Sequence, residues 1–118
     1  MKNQPFHARL LYALNGVEAA WRRESSVRTQ SFFAAGALVF LVLLRPPWIW
    51  WALVVLTICF VLAAELMNSA FEALIDFLHP DAHSEIKAIK DMAAGSVLMA
   101  SLGALAIGGL LLLATLWP

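Results

Sequence analysis

The sequence predicts an all-α membrane protein: three transmembrane helices plus an N-terminal amphipathic helix on the membrane surface, in a single domain over residues 1–118. Three observations carry that prediction. Apolar residues make up 62% of the chain and the mean hydropathy is +0.79. Charged residues are only 14% of it, against about a quarter in a soluble domain. The uncharged residues also fall into blocks separated by turn signals, as spans joined by short connections must.

The first element is the surface helix, expected over about 5–23. At the helical repeat, Phe6, Leu10, Leu14, Val17 and Trp21 share one face, while Arg9, Asn15, Glu18, Arg22 and Arg23 lie off it. Such a helix can lie in the interface with its cations toward lipid phosphates. The first span is expected over about 29–45. Its apolar run, Ser31 to Leu44, has 14 residues, short of the roughly twenty a crossing needs. Arg28 and Arg45 can extend it by snorkelling to the two interfaces. Pro46 and Pro47 then force a turn, because proline has no amide hydrogen and disfavours helix in the residue before it.

The second span starts at Trp48 and its helical pattern runs to about 76, where His79-Pro80-Asp81 ends it. A polar segment leads to the third span, expected over about 92–117 and free of charge throughout. Ser96, Ala100, Ala104 and Gly108 recur there every fourth residue, a register that lets helices approach closely in a bilayer, within one chain or between chains. Five cations (Lys2, Arg9, Arg22, Arg23, Arg28) precede span one, and Lys87 and Lys90 lie between spans two and three. Only Arg45 lies on the opposite side, so the positive-inside rule places the N-terminus and second loop in the cytoplasm. Trp48, Trp50, Trp51 and Trp117 then fall at the outer interface, where tryptophan prefers to sit. The first apolar run comes late for a cleaved leader, so the apolar segments are expected to stay in the membrane.

Several function classes are excluded or weakened. Net charge is zero and no basic face stands out, which argues against a nucleic-acid partner. The lone Cys59 lies within an apolar run and has no partner for a disulfide or thiolate metal site. There is no P-loop, kinase glycine loop or H-E-x-x-H motif. Pro80 separates His79 from His83, so the two need not share a helix face.

The informative stretch is "AELMNSAFEALIDF". Glu65, Asn68, Glu72 and Asp76 recur at spacings of three, four and four and form one polar stripe at the end of a hydrophobic helix. Ionisable groups at the edge of a bilayer mark a function by default; the alternative is a structural polar network. Glu24 precedes span one, and Lys90 and Asp91 precede span three, so all three spans bring ionisable residues to the same membrane face. Carboxylates converging beside a lysine suit a divalent cation and phosphate.

Together, "AELMNSAFEALID", "AIKDMAAGSVL" and "YALNGVEAAWRRESSVR" resemble the prokaryotic diacylglycerol kinase family, which includes undecaprenol kinases. The family pattern E-x-x-N-[ST]-A-x-E-x-x-x-D followed by K-D-x-[AG]-[AS] is met by Glu65, Asn68, Ser69, Ala70, Glu72, Asp76, Lys90 and Asp91. The resemblance implies a homotrimeric helical bundle in the bacterial inner membrane, with its C-terminus periplasmic and with active sites shared between protomers at the cytoplasmic interface. It implies ATP as phosphoryl donor, Mg²⁺ as cofactor and diacylglycerol within the membrane lipid as acceptor. Glu65 matches the proposed general base, and Glu24 and Glu72 match the metal ligands. Asn68, Lys90 and Asp91 match residues that place the nucleotide or its phosphates. Tyr12, Asp81 and His83 match positions contacting ATP, and Trp21 and Arg28, with Glu65, fall at the lipid substrate. The role of Asp76 stays open. Thr29 follows Arg28, with Gln30 next, where Gram-negative relatives have Gln directly; Ala82 replaces an aromatic; and the register gives Pro5 for a family arginine that Arg9 could replace. The other readings are the same reaction on undecaprenol, and a non-enzymatic membrane protein whose acidic stripe serves packing or cation conduction.

Overall fold

The computed structural model describes residues 2–118. It contains four helices: α1 (Phe6–Arg23), α2 (Ser25–Leu44), α3 (Trp48–Leu78) and α4 (Ser84–Leu116). The last three are long and apolar enough to cross a membrane. No residue of α1 is buried, and its apolar face stays uncovered, with Phe6 at 77% and Leu14 at 58% exposure. A helix packed on the spans would lose that exposure; one resting on a lipid surface keeps it available.

A single non-helical residue, Glu24, separates α1 from α2. Its backbone is extended (φ −116°, ψ 112°), while its N–H still bonds the Ala20 carbonyl at 2.9 Å. The α2 helix therefore begins at Ser25, well before the apolar run, because hydropathy reports what can be immersed and not where backbone hydrogen bonding begins. The α2 C-terminus closes with Arg45 in the left-handed region (φ 49°, ψ 53°), its N–H bonded to the Leu41 carbonyl. Pro46 and Pro47 follow, and α3 starts at once.

At 1.5 Å per residue, α3 and α4 are about 46 and 50 Å long, against roughly 30 Å of hydrocarbon. Each therefore has several turns to spare. The α4 helix starts at Ser84, within the polar segment, where the His83 side chain accepts the Glu85 N–H at 3.0 Å as an N-cap. The surplus turns carry Asp76, Lys87, Lys90 and Asp91.

The α3 helix packs on both α2 and α4. The tightest packing lies at the tryptophan end, where Leu41, Val54 and Leu111 are buried and Trp50, Trp51 and Ile107 close around them. Between α2 and α4 an apolar cavity of about 680 Å³ opens, lined among others by Phe33, Ala37, Ile58, Ala104, Leu105 and Gly108. A Cβ added at Gly95, Gly103 or Gly108 would meet nothing within 4 Å. The smooth face of α4 is therefore not pressed against another helix of the same chain at these glycines.

Leu41 is fully buried. Lipid is as apolar as the leucine, so its truncation forfeits packing contacts more than hydrophobic transfer. Leu41→Ala is expected to cost about 2 kcal/mol, the low end for such a change, read as a lower unfolding midpoint in detergent.

Candidate functional site

The alternation of the spans brings the start of α2, the end of α3 and the start of α4 to one end of the bundle. The ionisable residues of the three spans collect there, and Glu65 is the most enclosed of them. Its residue is 4% exposed, it sits where the uncharged stretch of α3 ends, and Gln30 Nε2 of α2 donates to its Oε1 at 3.4 Å. No basic side chain pairs with it among the described residues. One turn on, Asn68 Oδ1 is buried with no hydrogen-bond partner. A buried amide oxygen without a donor is uncommon in folded proteins and calls for a reason. Ser69 beside it is also buried.

The acidic groups of this end divide in two. Asp76 and Asp91 are neutralised: Lys90 Nζ donates to Asp76 Oδ1 and Lys87 Nζ to Asp91 Oδ2, each at 2.6 Å. Glu72, half-buried between Asn68 and Asp76, has no cation within ion-pair distance among the described residues, and neither has Glu24. Both carboxylates matched to metal ligands are thus among those left without a protein cation, as Glu65 is. No group of three or more His, Cys, Asp or Glu side chains converges as a cage among the described residues. Mg²⁺ does not require one, since it takes one or two carboxylates with phosphate oxygens and water. The donor set therefore fits that ion.

Two residues expected at the lipid substrate meet at the α1–α2 joint. Arg28 Nη1 donates to the carbonyls of Trp21 at 2.6 Å and Arg22 at 3.2 Å, satisfying carbonyls that the end of α1 leaves without helical partners. The Trp21 ring stands 6.0 Å from that of Phe32, tilted by 55°. Arg28 thus fixes the direction in which α1 leaves α2. Arg28→Lys keeps the charge and loses the planar fork. After solvent screening it is expected to cost about 1 kcal/mol, seen as faster proteolysis near Glu24.

The remaining expected residues lie apart. Tyr12 sits on exposed α1, lining an open cavity of about 440 Å³ with Lys2, Arg9 and Ala13. Asp81 and His83 lie in the exposed α3–α4 connection. The His79 ring N–H donates to the Asp81 carbonyl at 3.1 Å, and the two histidine rings stand 6.3 Å apart, nearly perpendicular. Residue types and spacing do not single out Gln30, because they do not say which face of α2 meets α3.

Relatives share most of this chain. A diacylglycerol kinase of Synechocystis sp. is 36% identical over 103 residues, covering 86% of this chain and 59% of its own length. This chain thus spans under two thirds of that relative. A Helicobacter pylori diacylglycerol kinase is 31% identical over 90 residues, covering 76% of this chain and 70% of the relative. One from Escherichia coli K12 is 30% identical over 89 residues, covering 75% and 73%. Residues 11–112, from the middle of α1 to the last turns of α4, match the family described as prokaryotic diacylglycerol kinase. With the polar stripe, the Lys90-Asp91 pair and all but the last turn of the three long apolar helices inside that matched region, the chain belongs to the prokaryotic diacylglycerol kinase family.

Proposed function

We propose that this protein is an ATP-dependent lipid kinase that transfers the γ-phosphoryl group of ATP to diacylglycerol, giving phosphatidic acid and ADP. The observation that carries the reading is the enclosed, cation-free carboxylate of Glu65, one turn from an amide oxygen without a partner. A packing network would be expected to close on itself, whereas this one leaves Glu65 without a cation and Asn68 Oδ1 without a donor.

Phosphoryl transfer asks a protein mainly for alignment and charge neutralisation. Glu65 is the general base: one oxygen receives the Gln30 amide, which holds the carboxylate in place, and it takes the proton of the lipid hydroxyl. The freed lipid oxygen bonds the γ-phosphorus as the bond to the β–γ bridging oxygen breaks, and that electron pair leaves with ADP. Lys90 meets the negative charge on the phosphates, and Asn68 and Asp91 orient the nucleotide. Glu24 and Glu72 hold Mg²⁺, which when bound offsets phosphate charge. Tyr12, Asp81 and His83 contact ATP from α1 and from the connection before α4, while Trp21 and Arg28 border the lipid.

In this reading the site lies at the cytoplasmic face of the bacterial inner membrane, with the N-terminus cytoplasmic and the C-terminus periplasmic. The protein works as a homotrimer with sites shared between neighbours; the open cavity and the space left beside Gly95, Gly103 and Gly108 on α4 support contact with further copies. A boundary site lets a water-soluble nucleotide meet a lipid that stays in the membrane.

The test is transfer of radiolabelled γ-phosphate from MgATP to diacylglycerol and, separately, to undecaprenol in mixed micelles. Label in phosphatidic acid is expected. Label in undecaprenyl phosphate alone would move the protein to the polyprenol branch, and no label in either from folded protein would favour a structural stripe.

A further inference from the structure

Asp76 is the member of the acidic stripe to which the chemistry above gives no task. It lies one helical turn beyond Glu72 on α3, and its Oδ1 accepts a hydrogen bond from Lys90 Nζ on α4 at 2.6 Å. The other ion pairs among the described residues, Glu18–Arg22 and Lys87–Asp91, each stay within one helix at four-residue spacing. Asp76–Lys90 alone among them joins two helices.

The pair is unequal. The Lys90 side chain is 33% exposed, lying largely along the protein, while that of Asp76 is 64% exposed. A lysine ammonium is a compact charge on a flexible four-carbon stem, and alone on a helix surface it samples many rotamers. Asp76 draws it to the α3 side of α4, the side that carries the stripe. The other lysine of that helix, Lys87, is held by Asp91 along α4 itself. A contact this exposed contributes little to folding, since water screens it and both side chains lose freedom. Its consequence is where the Lys90 charge stands.

We propose that Asp76 is a positioning residue of the phosphoryl-transfer site, holding the Lys90 ammonium in the place where it meets the phosphates of the nucleotide; the proposal rests on the kinase reading above. An ammonium has three protons to donate. Asp76 takes one and leaves two for phosphate oxygens. Its own negative charge opposes the approach of those phosphates. Asp76 therefore has two opposed effects, orientation of the cation and repulsion of the anion, which separate in the kinetics.

The test is steady-state transfer to diacylglycerol by Asp76→Asn and Asp76→Glu in mixed micelles, with unfolding midpoints and oligomeric state measured alongside. For Asp76→Asn we expect kcat to fall about tenfold while KM for MgATP stays within twofold of wild type or drops, because the repulsion goes with the charge. Asp76→Glu, which still reaches Lys90, recovers at least half of the lost kcat. In a Lys90→Ala background, Asp76→Asn causes no further loss. An unchanged kcat with a lowered midpoint would make Asp76 only a tie between helices and overturn the proposal. So would failure of glutamate to rescue, or losses that multiply in the double variant. If wild type transfers no label, the kinase reading fails and takes this proposal with it; if wild type is active and Asp76→Asn is too, only the proposal fails.

Discussion

Glu65→Gln is expected to lower phosphate transfer to diacylglycerol by a factor of about 10² to 10⁴, the range supplied by a positioned general base, while the protein stays folded. The substitution is nearly isosteric. The new amide oxygen can still accept from Gln30 Nε2, so the one side-chain hydrogen bond found at this carboxylate survives. What disappears is the capacity to take a proton. Because Glu65 is 4% exposed and no basic side chain pairs with it among the described residues, the exchange strands no buried cation. That is the usual way such a change becomes destabilising. Removing a charge from an enclosed place next to an apolar helix relieves desolvation, so the unfolding midpoint should hold or rise. The expected result is thus a split: activity lost, stability kept. It is read by label transfer and thermal unfolding on the same preparation. A variant that retains more than a tenth of wild-type transfer would remove Glu65 from the role of base. One that loses both activity and stability would return the stripe to a structural part.

The pattern that exposes Glu65 in the sequence is simple, since three- and four-residue spacing of polar groups at the end of an uncharged run can only be one face of a helix. The same reasoning reaches the three spans, the Pro46-Pro47 turn and the stop at His79-Pro80. It falls short where the structure depends on which faces meet. Gln30 is polar and unremarkable in the chain, yet it is the α2 residue that touches Glu65. Arg28 reads as a membrane-edge cation and in the structure also closes the carbonyl end of α1. Lys90 and Asp76 are 14 residues apart across a connection whose geometry no periodicity conveys. The early start of α4 at Ser84 is a different case. Its N-cap is a histidine, outside the Ser, Thr, Asp and Asn that usually announce a helix, and its first turns are too polar for hydropathy to register. In each case the sequence carries the residue, and the missing part is the partner that the packing of α2 and α4 on α3 supplies.

That partition also sharpens what Glu72 should do. Along the stripe, Asp76 has Lys90 and Glu65 has Gln30, while Glu72 between them has no cation among the described residues. A half-buried carboxylate in that position gains from a divalent ion, and Mg²⁺ needs only one or two such ligands when phosphates complete its shell. Glu72→Gln leaves a neutral oxygen that binds a hard cation weakly. At millimolar Mg²⁺ transfer should fall by about 10², because charge stabilisation by the ion is a main term in phosphoryl transfer. The Mg²⁺ concentration giving half-maximal rate should rise at least tenfold, with part of the rate returning as Mg²⁺ is raised. Glu65→Gln should show no such recovery, since a missing base is not replaced by more metal. Thermal stabilisation by ADP gives a second readout, independent of turnover: its dependence on Mg²⁺ should weaken in Glu72→Gln and persist in Glu65→Gln. An unchanged Mg²⁺ requirement in Glu72→Gln would take this residue out of the metal site and leave Glu24 to hold the ion without it.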